Sequence, residues 1–464
     1  MSIARTSIRL LALSVVVVWS CGTGTAQTLN SALAQAYRNN ETLNSERANL
    51  RATDEEVPQA LSGYRPRIEA TADAGPRYLN EKGADGAQQS STTAPRSVGV
   101  TASQSIFNGF QTANRVRAAE NQVLAGREAL RVMEQTVLVD AATAYMDVLR
   151  DAAILELQKR NLDLLGEQLN LVRNRQASGD LTTADVAQVE ARLAAARTAV
   201  LAAQATYNSS RATFARVIGS EPGKLTPGQP VDRFAPATLE AAIALARTQH
   251  PAVLAAMYGV DIALLQTKIA EGALYPMVTL EGSVKRRWDV MPDQNLMFPA
   301  TSTDASIISR VVIPLYQGGS EYAKIRQSKE MTGQKRLSLE AVRKLSRATV
   351  VQAWSAVAAT RAQVDSAQAQ VKAAEFALES VRREFGAGQR STLELLTVQQ
   401  ELLNARIALV MTQRERVTSS YALLAAVGQL APGVLGLPTE SYDPSVHYHQ
   451  VRDSWFGVRT PDGR

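Results

Sequence analysis

The sequence predicts a mainly α-helical chain that is built as two copies of one unit and that also carries four β-strands long enough to cross a membrane. Three observations predict this fold class. Sequence blocks recur at an offset of about 210 residues, two long spans lack proline, and between those spans the hydrophobic period changes from that of a helix to that of a strand.

Residues 1–26 are typical of a secretory signal peptide. Two arginines precede the apolar run Leu10–Trp19, and small residues lead to a predicted cleavage site after Ala26. A lipoprotein box ending at Cys21, with that cysteine acylated, is the alternative, and the sequence leaves it open. After residue 26 we expect no membrane-spanning helix, because no stretch reaches about 18 uncharged apolar residues. The chain is therefore predicted to leave the cytoplasm.

The composition excludes several classes of function. The chain contains 50 Lys and Arg against 44 Asp and Glu, only three His, and a single Cys inside the leader. The small, scattered positive excess argues against a nucleic-acid partner. A chain without cysteine after the leader has no disulfide, thiolate metal site or cysteine nucleophile, and no phosphate-binding G-x-x-x-x-G-K-[ST] motif occurs. We therefore predict no catalytic, cofactor-binding or metal-binding residues, and no enzyme activity.

The repeat divides the chain into four parts after the leader. Thr28–Leu33 returns as Thr238–Ile243, and Phe107-Asn108-Gly109 returns as Tyr316-Gln317-Gly318. We predict a first repeat at 27–219, an equatorial linker at 220–237, a second repeat at 238–430, and a C-terminal tail at 431–464. His447 and His449 lie in a polar part of this tail that we expect to be solvated, and His250 is expected to cap a helix or to lie on the surface.

Each proline-free span predicts a long helical hairpin. Val148, Leu155, Leu162 and Leu169 recur every seven residues, the spacing of a coiled-coil seam, and a second set runs from Val350 to Leu378. The hairpins are predicted at 109–219 and 318–428, with tips near 178–185 and 386–394. Gly179 and Gly388 would end the first arms, and Thr183 or Thr182 and then Ser391 would cap the returning helices. An ordinary helical rod would show the same heptads.

Four segments alternate apolar and polar residues. They are predicted as strands at about 67–79, 97–107, 277–288 and 306–316, joined in pairs by loops at 80–96 and 289–305. Each has about the 9–11 residues with which a tilted strand crosses a bilayer. A membrane barrel has no open edge and uses at least about eight strands, so these strands require several chains. The alternative is a small soluble sheet that caps a helical rod.

The chain closely resembles the TolC family of outer-membrane efflux and type I secretion channels over roughly residues 28–435. The resemblance rests on the element order and on four blocks: Tyr64-Arg65-Pro66, Phe107-Asn108-Gly109-Phe110, Gly179–Val186 and Gly388–Leu396. It implies a homotrimer whose 12-stranded outer-membrane β-barrel is continuous with a periplasmic α-helical coiled-coil barrel.

The resemblance also implies two sets of site residues at the tips. The family closes its tip with polar links, and the matching gate residues are Asp185 with Arg390 as an acid–base pair, and Glu394 as a carboxylate at the entrance. The expected adaptor-docking tips are Gly179, Thr183, Gly388 and Thr392. Thr397 departs from the family pattern, so the ring of negative charge expected at the entrance should be weaker. Phe385 also departs from it, which removes one polar link that another group could replace.

The implied function is a passive exit duct across the periplasm and outer membrane. Its expected partners are a periplasmic adaptor (membrane fusion) protein, an inner-membrane ABC or RND-type transporter that supplies the energy, and outer-membrane lipid. The alternative is a non-pore periplasmic adaptor or structural rod. The sequence does not distinguish drugs from secreted proteins as the cargo.

Overall fold

The computed structural model describes residues 27–82, 86, 88–290, 300–461 and 463. The predicted signal peptide 1–26, with both the cleavage after Ala26 and the acylation of Cys21, lies outside the described residues. So does most of the predicted loop at 289–305.

Three short helices open the chain. They are α1 (Leu29–Asn39), α2 (Glu41–Asp54) and α3 (Glu56–Leu61), and a 3₁₀ turn follows at Ser62–Tyr64. The Thr28 hydroxyl caps α1 by accepting from the Ser31 N–H at 3.2 Å, and the Asn40 side chain caps α2 in the same way.

The first strand pair differs from the prediction. It consists of β1 (Arg67–Ala74), β2 (Arg77–Lys82), β3 (Gln88–Thr93) and β4 (Arg96–Asn108). The predicted strand 67–79 is interrupted after Ala74, and much of the predicted loop 80–96 forms a separate two-stranded ribbon of β2 and β3. Prolines at 76 and 95 lie at both interruptions, where a residue without an N–H cannot continue the ladder.

The first hairpin consists of α4 (Gln111–Ala177) and α5 (Thr183–Ile218). The 67 residues of α4 span roughly 100 Å at about 1.5 Å per residue. Three residues of the predicted seam, Val148, Leu155 and Leu169, are each at most 7% exposed, whereas Leu162 is half-buried. These side chains hold the two arms together.

Two apolar helices open the predicted second repeat, after a 3₁₀ turn at Asp232–Phe234 in the linker. They are α6 (Leu239–Gln249) and α7 (Pro251–Gly272), and His250 caps α7 by accepting from the Ala252 N–H at 3.1 Å. By length and composition alone, Leu239–Gly272 could cross a membrane. Arg247 and Asp261 interrupt this segment, so it is not a run of about 18 uncharged apolar residues, and α7 packs along α4.

The second repeat follows the plan of the first. Its elements are β5 (Met277–Val290), β6 (Ala300–Val312), α8 (Ser320–Gly386) and α9 (Thr392–Ala426), followed by the short helices α10 (Pro432–Leu435) and α11 (Ser445–Val451). Of the predicted second seam only Val350 is fully buried, while Val357 and Leu378 are half-buried.

The long strands form one antiparallel sheet in the order β1-β4-β5-β6. One apolar row crosses it, since Ala70 pairs with Val100 and Val100 with Val284. Apolar side chains of this sheet are exposed, among them Ile68 (68%) and Ile307 (82%). Within the described residues, β1 and β6 each keep one unpaired edge. Because an open edge is unsatisfied in lipid, the sheet is incomplete in a single chain.

The main core lies at mid-height of the helices. The Tyr145 hydroxyl donates to the backbone of Gln27 and Thr226 at 2.7 Å and accepts from the Thr226 N–H at 3.0 Å, which ties the linker to the chain start. In the same linker, Asp232 accepts from Arg416 of α9 and Arg361 of α8. The linker is therefore fastened to both repeats.

Part of the C-terminal tail packs on the helices, so the expectation that its polar part is solvated is wrong for His447, whereas His449 is exposed as expected. The His447 side chain is 12% exposed and lies 2.9 Å from the carboxylate of Asp54, which is 1% exposed. Burial raises the pKa of Asp54, and His447 opposes that shift. The Tyr442 N–H donates to the Tyr37 hydroxyl at 3.2 Å. His449 lies in the same short helix, α11.

Candidate functional site

The tip of the first hairpin is a helix end followed by a capped helix start. Gly179 adopts φ +87° after the last residues of α4, and the Asp180 N–H donates to the Arg175 carbonyl at 2.9 Å. Thr182, rather than Thr183, is the N-cap of α5. Its N–H donates to Asp185 Oδ2 at 3.0 Å, and its hydroxyl accepts from the Asp185 N–H at 3.3 Å. This is a complete capping box.

The second tip repeats this arrangement. Gly388 adopts φ +75°, and the Gln389 N–H donates to the Glu384 carbonyl at 2.9 Å. Ser391 caps α9, since its hydroxyl accepts from the Glu394 N–H at 3.2 Å and its N–H donates to Glu394 Oε2 at 2.9 Å. Both tips are therefore stiff turns with exposed charged residues.

Arg390 joins the two arms of the second tip. Its Nε donates to Glu384 Oε2 at 2.7 Å and its Nη1 to Glu394 Oε1 at 3.0 Å. The Ser391 backbone N–H and Arg390 lower the pKa of Glu394, so this carboxylate stays ionised at neutral pH. Thr182 lowers the pKa of Asp185 through its hydroxyl and its backbone N–H. These contacts thus fix three carboxylates, those of Asp185, Glu384 and Glu394, and one guanidinium, that of Arg390, at the tips.

The structure does not bring Asp185 and Arg390 together within one chain. Each serves the turn of its own hairpin, Asp185 as a partner of Thr182 and Arg390 as a bridge from Glu384 to Glu394. Both side chains are partly exposed, so they remain accessible to a neighbouring chain.

The two hairpins contact each other just above the tips. Thr392 is 1% exposed and lies beside Asp185, whose pKa it helps to lower. Thr392 is therefore buried between the hairpins, and its role in adaptor docking stays a prediction. Thr183 is exposed, and both tip glycines lie at the surface.

Phe385 takes part in a link between the hairpins that the sequence did not reveal. Its ring is 7% exposed, and the Arg175 guanidinium of the first hairpin lies 5.3 Å from the ring centroid. Leu396 of the second hairpin packs into the apolar cluster of the first, against Leu169 and Val172. The Thr397 hydroxyl donates to the Leu393 carbonyl at 2.8 Å. The cation–π contact between Arg175 and Phe385 therefore occupies the position where the family resemblance implies a missing polar link.

A groove runs between the hairpins above this contact. It encloses about 350 Å³ between α4 and the two helices of the second hairpin. Leu164 (55% exposed) and Leu171 (43%) form part of its apolar lining. Four arginines also line it: Arg160, Arg175, Arg382 and Arg406. Neither leucine belongs to the predicted heptad seam, and their exposure depends on how the hairpins cross.

Comparisons with known proteins agree with this architecture. The family profile described as "Outer membrane efflux protein" matches residues 32–220 and 242–429. The outer membrane efflux protein BepC of Brucella suis is 41% identical over 458 residues, 98% of each chain. Protein CyaE of Bordetella pertussis is 26% identical and covers 82% of this chain and 80% of its own.

Solved structures show the same fold. The CmeC outer membrane channel of Campylobacter jejuni superposes with a TM-score of 0.78 at 16% identity, covering 98% of this chain and 97% of its own. The outer membrane protein VceC of Vibrio cholerae gives 0.73 at 18% identity, over 86% and 96% of the two chains. The chain therefore belongs to the outer membrane efflux protein family and is an outer membrane protein of the efflux class.

Proposed function

We propose that three copies of this chain form a passive exit duct whose helical tips open when a periplasmic adaptor docks. The incomplete sheet is the observation that carries the proposal. Its apolar face is exposed and both edges are unpaired within the described residues, while two long hairpins continue from its strands. Three sheets of four strands would give the closed 12-stranded barrel that a membrane requires.

The internal repeat predicts how the edges would join. In one chain β4 pairs with β5, with Ala102 opposite Gly282. The repeat offset of 209 residues places Val311 of β6 where Ala102 lies, and the offset of 210 residues places Ala72 of β1 where Gly282 lies. Val311 of one chain should therefore lie opposite Ala72 of the next chain. The exposure of Val311 (57%) and of Ala72 is consistent with a missing partner at both edges.

Cysteine cross-linking tests this closure. A chain carrying both Ala72→Cys and Val311→Cys should form a ladder that ends at the trimer when treated with a short thiol cross-linker, because opposed Cβ atoms lie about 5 Å apart. The matched control pairs Val311→Cys with Ile68→Cys, four residues out of register, and should stay monomeric in denaturing gels. Equal cross-linking of both pairs, or of neither, would contradict the proposed register.

The proposed gate is formed by the charged residues of the tips. Arg390 holds the second tip in one conformation through two carboxylates, and Asp185 fixes the first tip. Near the threefold axis the tips would approach one another, with Asp185 and Arg390 able to pair between chains and the Glu394 carboxylates facing the entrance. The ring formed by the Glu394 carboxylates of the three chains would favour the passage of cations.

Conductance in a planar bilayer tests the gate. The native trimer should show a small, cation-preferring conductance, and the double variant Asp185→Ala/Arg390→Ala should raise it severalfold, because the tip loses both fixed links. Arg383→Ala is the matched control, since Arg383 pairs only along its own helix, with Glu379 at 3.5 Å, and should leave conductance unchanged. An unchanged conductance in the double variant would place the gate elsewhere, whereas no conductance from native trimers would overturn the duct.

The groove between the hairpins is the proposed docking site for an adaptor. Its apolar lining and basic side chains suit the amphipathic arm of a helical hairpin with acidic flanks. Docking would open the tips by binding the open state more tightly than the closed one. We propose that an inner-membrane ABC or RND-type transporter supplies the energy, as the chain has no phosphate-binding loop. Drugs and secreted proteins both remain candidate cargo.

A further inference from the structure

The segment after α11 places large apolar side chains in solvent. Trp455, Phe456 and Val458 are 66%, 94% and 100% exposed. Exposed apolar groups that lie together commonly mark a surface that a partner or a lipid covers. What covers these three side chains follows from where the segment runs.

The tail runs toward the strands. The Arg127 guanidinium of α4 lies 5.2 Å from the ring centroid of Tyr448, and further along the tail Arg452 pairs with Glu120 of α4 at 3.4 Å. From Arg127 to Glu120 the contacts climb roughly 10 Å along α4, at about 1.5 Å per residue. They climb toward the start of α4, which follows the end of β4 almost directly.

Arg65 holds the end of this path. Its Nη1 donates to the Ser454 carbonyl at 2.6 Å, and its guanidinium lies 4.6 Å from the centroid of the Trp455 ring. Arg65 is separated from the first residue of β1, Arg67, by a single proline. Trp455 is therefore fixed at the level where the strands meet the helices.

Other exposed aromatic residues mark the same level. They flank the helix-side ends of the long strands, at 51–78% exposure: Tyr64, Phe110, Tyr275 and Tyr316. Aromatic rings at the ends of membrane strands lie among lipid headgroups, where one part of the ring is wet and the other is apolar. Trp455 extends this belt with a residue from outside the strand and hairpin repeats.

We propose that residues 454–458 form an interfacial anchor, in which Trp455 and Phe456 enter the headgroup region of the periplasmic leaflet of the outer membrane. The partner is the phospholipid surface. The exposed Arg459 follows the segment and suits the phosphate groups of that surface. The inference rests on the proposed orientation of the barrel, with its helix-side end at the periplasmic leaflet.

Tryptophan fluorescence tests the anchor. The chain has four tryptophans, and Trp19 lies in the leader, so Trp288→Phe/Trp354→Phe leaves only Trp455 in the exported protein. In trimers reconstituted into phosphatidylcholine vesicles, acyl chains brominated close to the headgroup should remove most of the Trp455 emission relative to unbrominated vesicles. Arg65→Gln should reduce that loss, because the indole is no longer held at the interface.

Two further single-tryptophan chains make the outcomes distinct. Trp288 lies on β5 and reports insertion of the barrel, whereas Trp354 packs beside an apolar helix cluster and should not be quenched. Quenching of Trp288 without quenching of Trp455 would overturn the anchor and leave the duct standing. Protection of Trp455 from both bromine and iodide would assign the segment to a neighbouring chain. If Trp288 is not quenched, the barrel proposal fails and the anchor fails with it.

Discussion

Replacing Gly109 with alanine should prevent the first strand pair from joining its hairpin, at a cost of about 3 kcal/mol or more. Gly109 adopts φ +64°, and a Cβ atom there would overlap the backbone carbonyl oxygen of Gly272. A backbone oxygen cannot rotate away as a side chain could. We expect a steep fall in the yield of folded protein, measured by helical circular dichroism and thermal unfolding of detergent-solubilised chains.

Gly318→Ala is the matched control, because the repeat places Gly318 where Gly109 lies. It has the same φ of +64°, but among the residues that the structure describes no atom of its own chain lies within 4 Å of a Cβ built there. The chain should fold at a cost of about 1 kcal/mol. The repeat offset of 210 residues maps Gly272 to Ser62, so in the proposed trimer the new methyl would meet the Ser62 backbone of a neighbouring chain.

The two glycine variants should therefore fail at different stages. Gly109→Ala should lose helicity and melt early, whereas Gly318→Ala should keep its helicity and lose the trimer, as size-exclusion chromatography with light scattering would show. Equal loss of helicity in both variants would mean that the left-handed backbone, rather than the close approach to Gly272, decides the cost.

The helical part of the fold was predictable because its signals are local and periodic. Heptad spacing, the absence of proline and the glycines of the tips located both hairpins, and Gly179 and Gly388 adopt the positive φ expected after a helix end. The strand pair at 67–107 was predicted less well. Alternation continues through Gly75 and Pro76, and only the missing proline N–H separates β1 from β2.

For the candidate site, the charged residues at the tips could be named from the sequence, but the contacts that they make could not. Asp185, Arg390 and Glu394 follow from the family resemblance, but which carboxylate Arg390 binds depends on the capping boxes. The burial of Thr392 and the Arg175–Phe385 contact depend on how two hairpins meet far apart in sequence. The packed tail has no local signal either, since Tyr442 bonds to Tyr37 across 405 positions.

Replacing Arg47 with alanine should release the C-terminal tail and cost about 3 kcal/mol. Arg47 is 9% exposed, and its guanidinium lies 4.6 Å from the ring centroid of Tyr37 and 5.1 Å from that of Tyr442. It also donates to the Tyr37 carbonyl at 3.1 Å. Removing this group of α2 removes the guanidinium that Tyr37 of α1 and Tyr442 of the tail both contact, which weakens the attachment of the tail.

A buried carboxylate adds to the expected cost. Burial raises the pKa of Glu134, whereas the Tyr37 hydroxyl, which donates to it at 2.7 Å, and the nearby charge of Arg47 oppose that shift. Without Arg47 the ionised form of Glu134 is less stable in the folded chain. The loss in the free energy of unfolding caused by Arg47→Ala should therefore grow as the pH rises from about 4.5 through the raised pKa of Glu134. Below that range the Glu134 carboxyl group is neutral and Arg47 does not stabilise it.

Limited trypsin digestion and thermal unfolding measure this effect. Arg47→Ala should expose Arg452 to cleavage at low protease and lower the melting temperature, and Arg47→Lys should rescue little, because an ammonium cannot stack between two rings as a planar guanidinium does. Arg38→Ala is the matched control, since Arg38 is exposed at the end of α1, and it should behave like the native chain. A tail that stays protected in Arg47→Ala would show that the His447–Asp54 and Arg452–Glu120 contacts hold it without the stacked arginine.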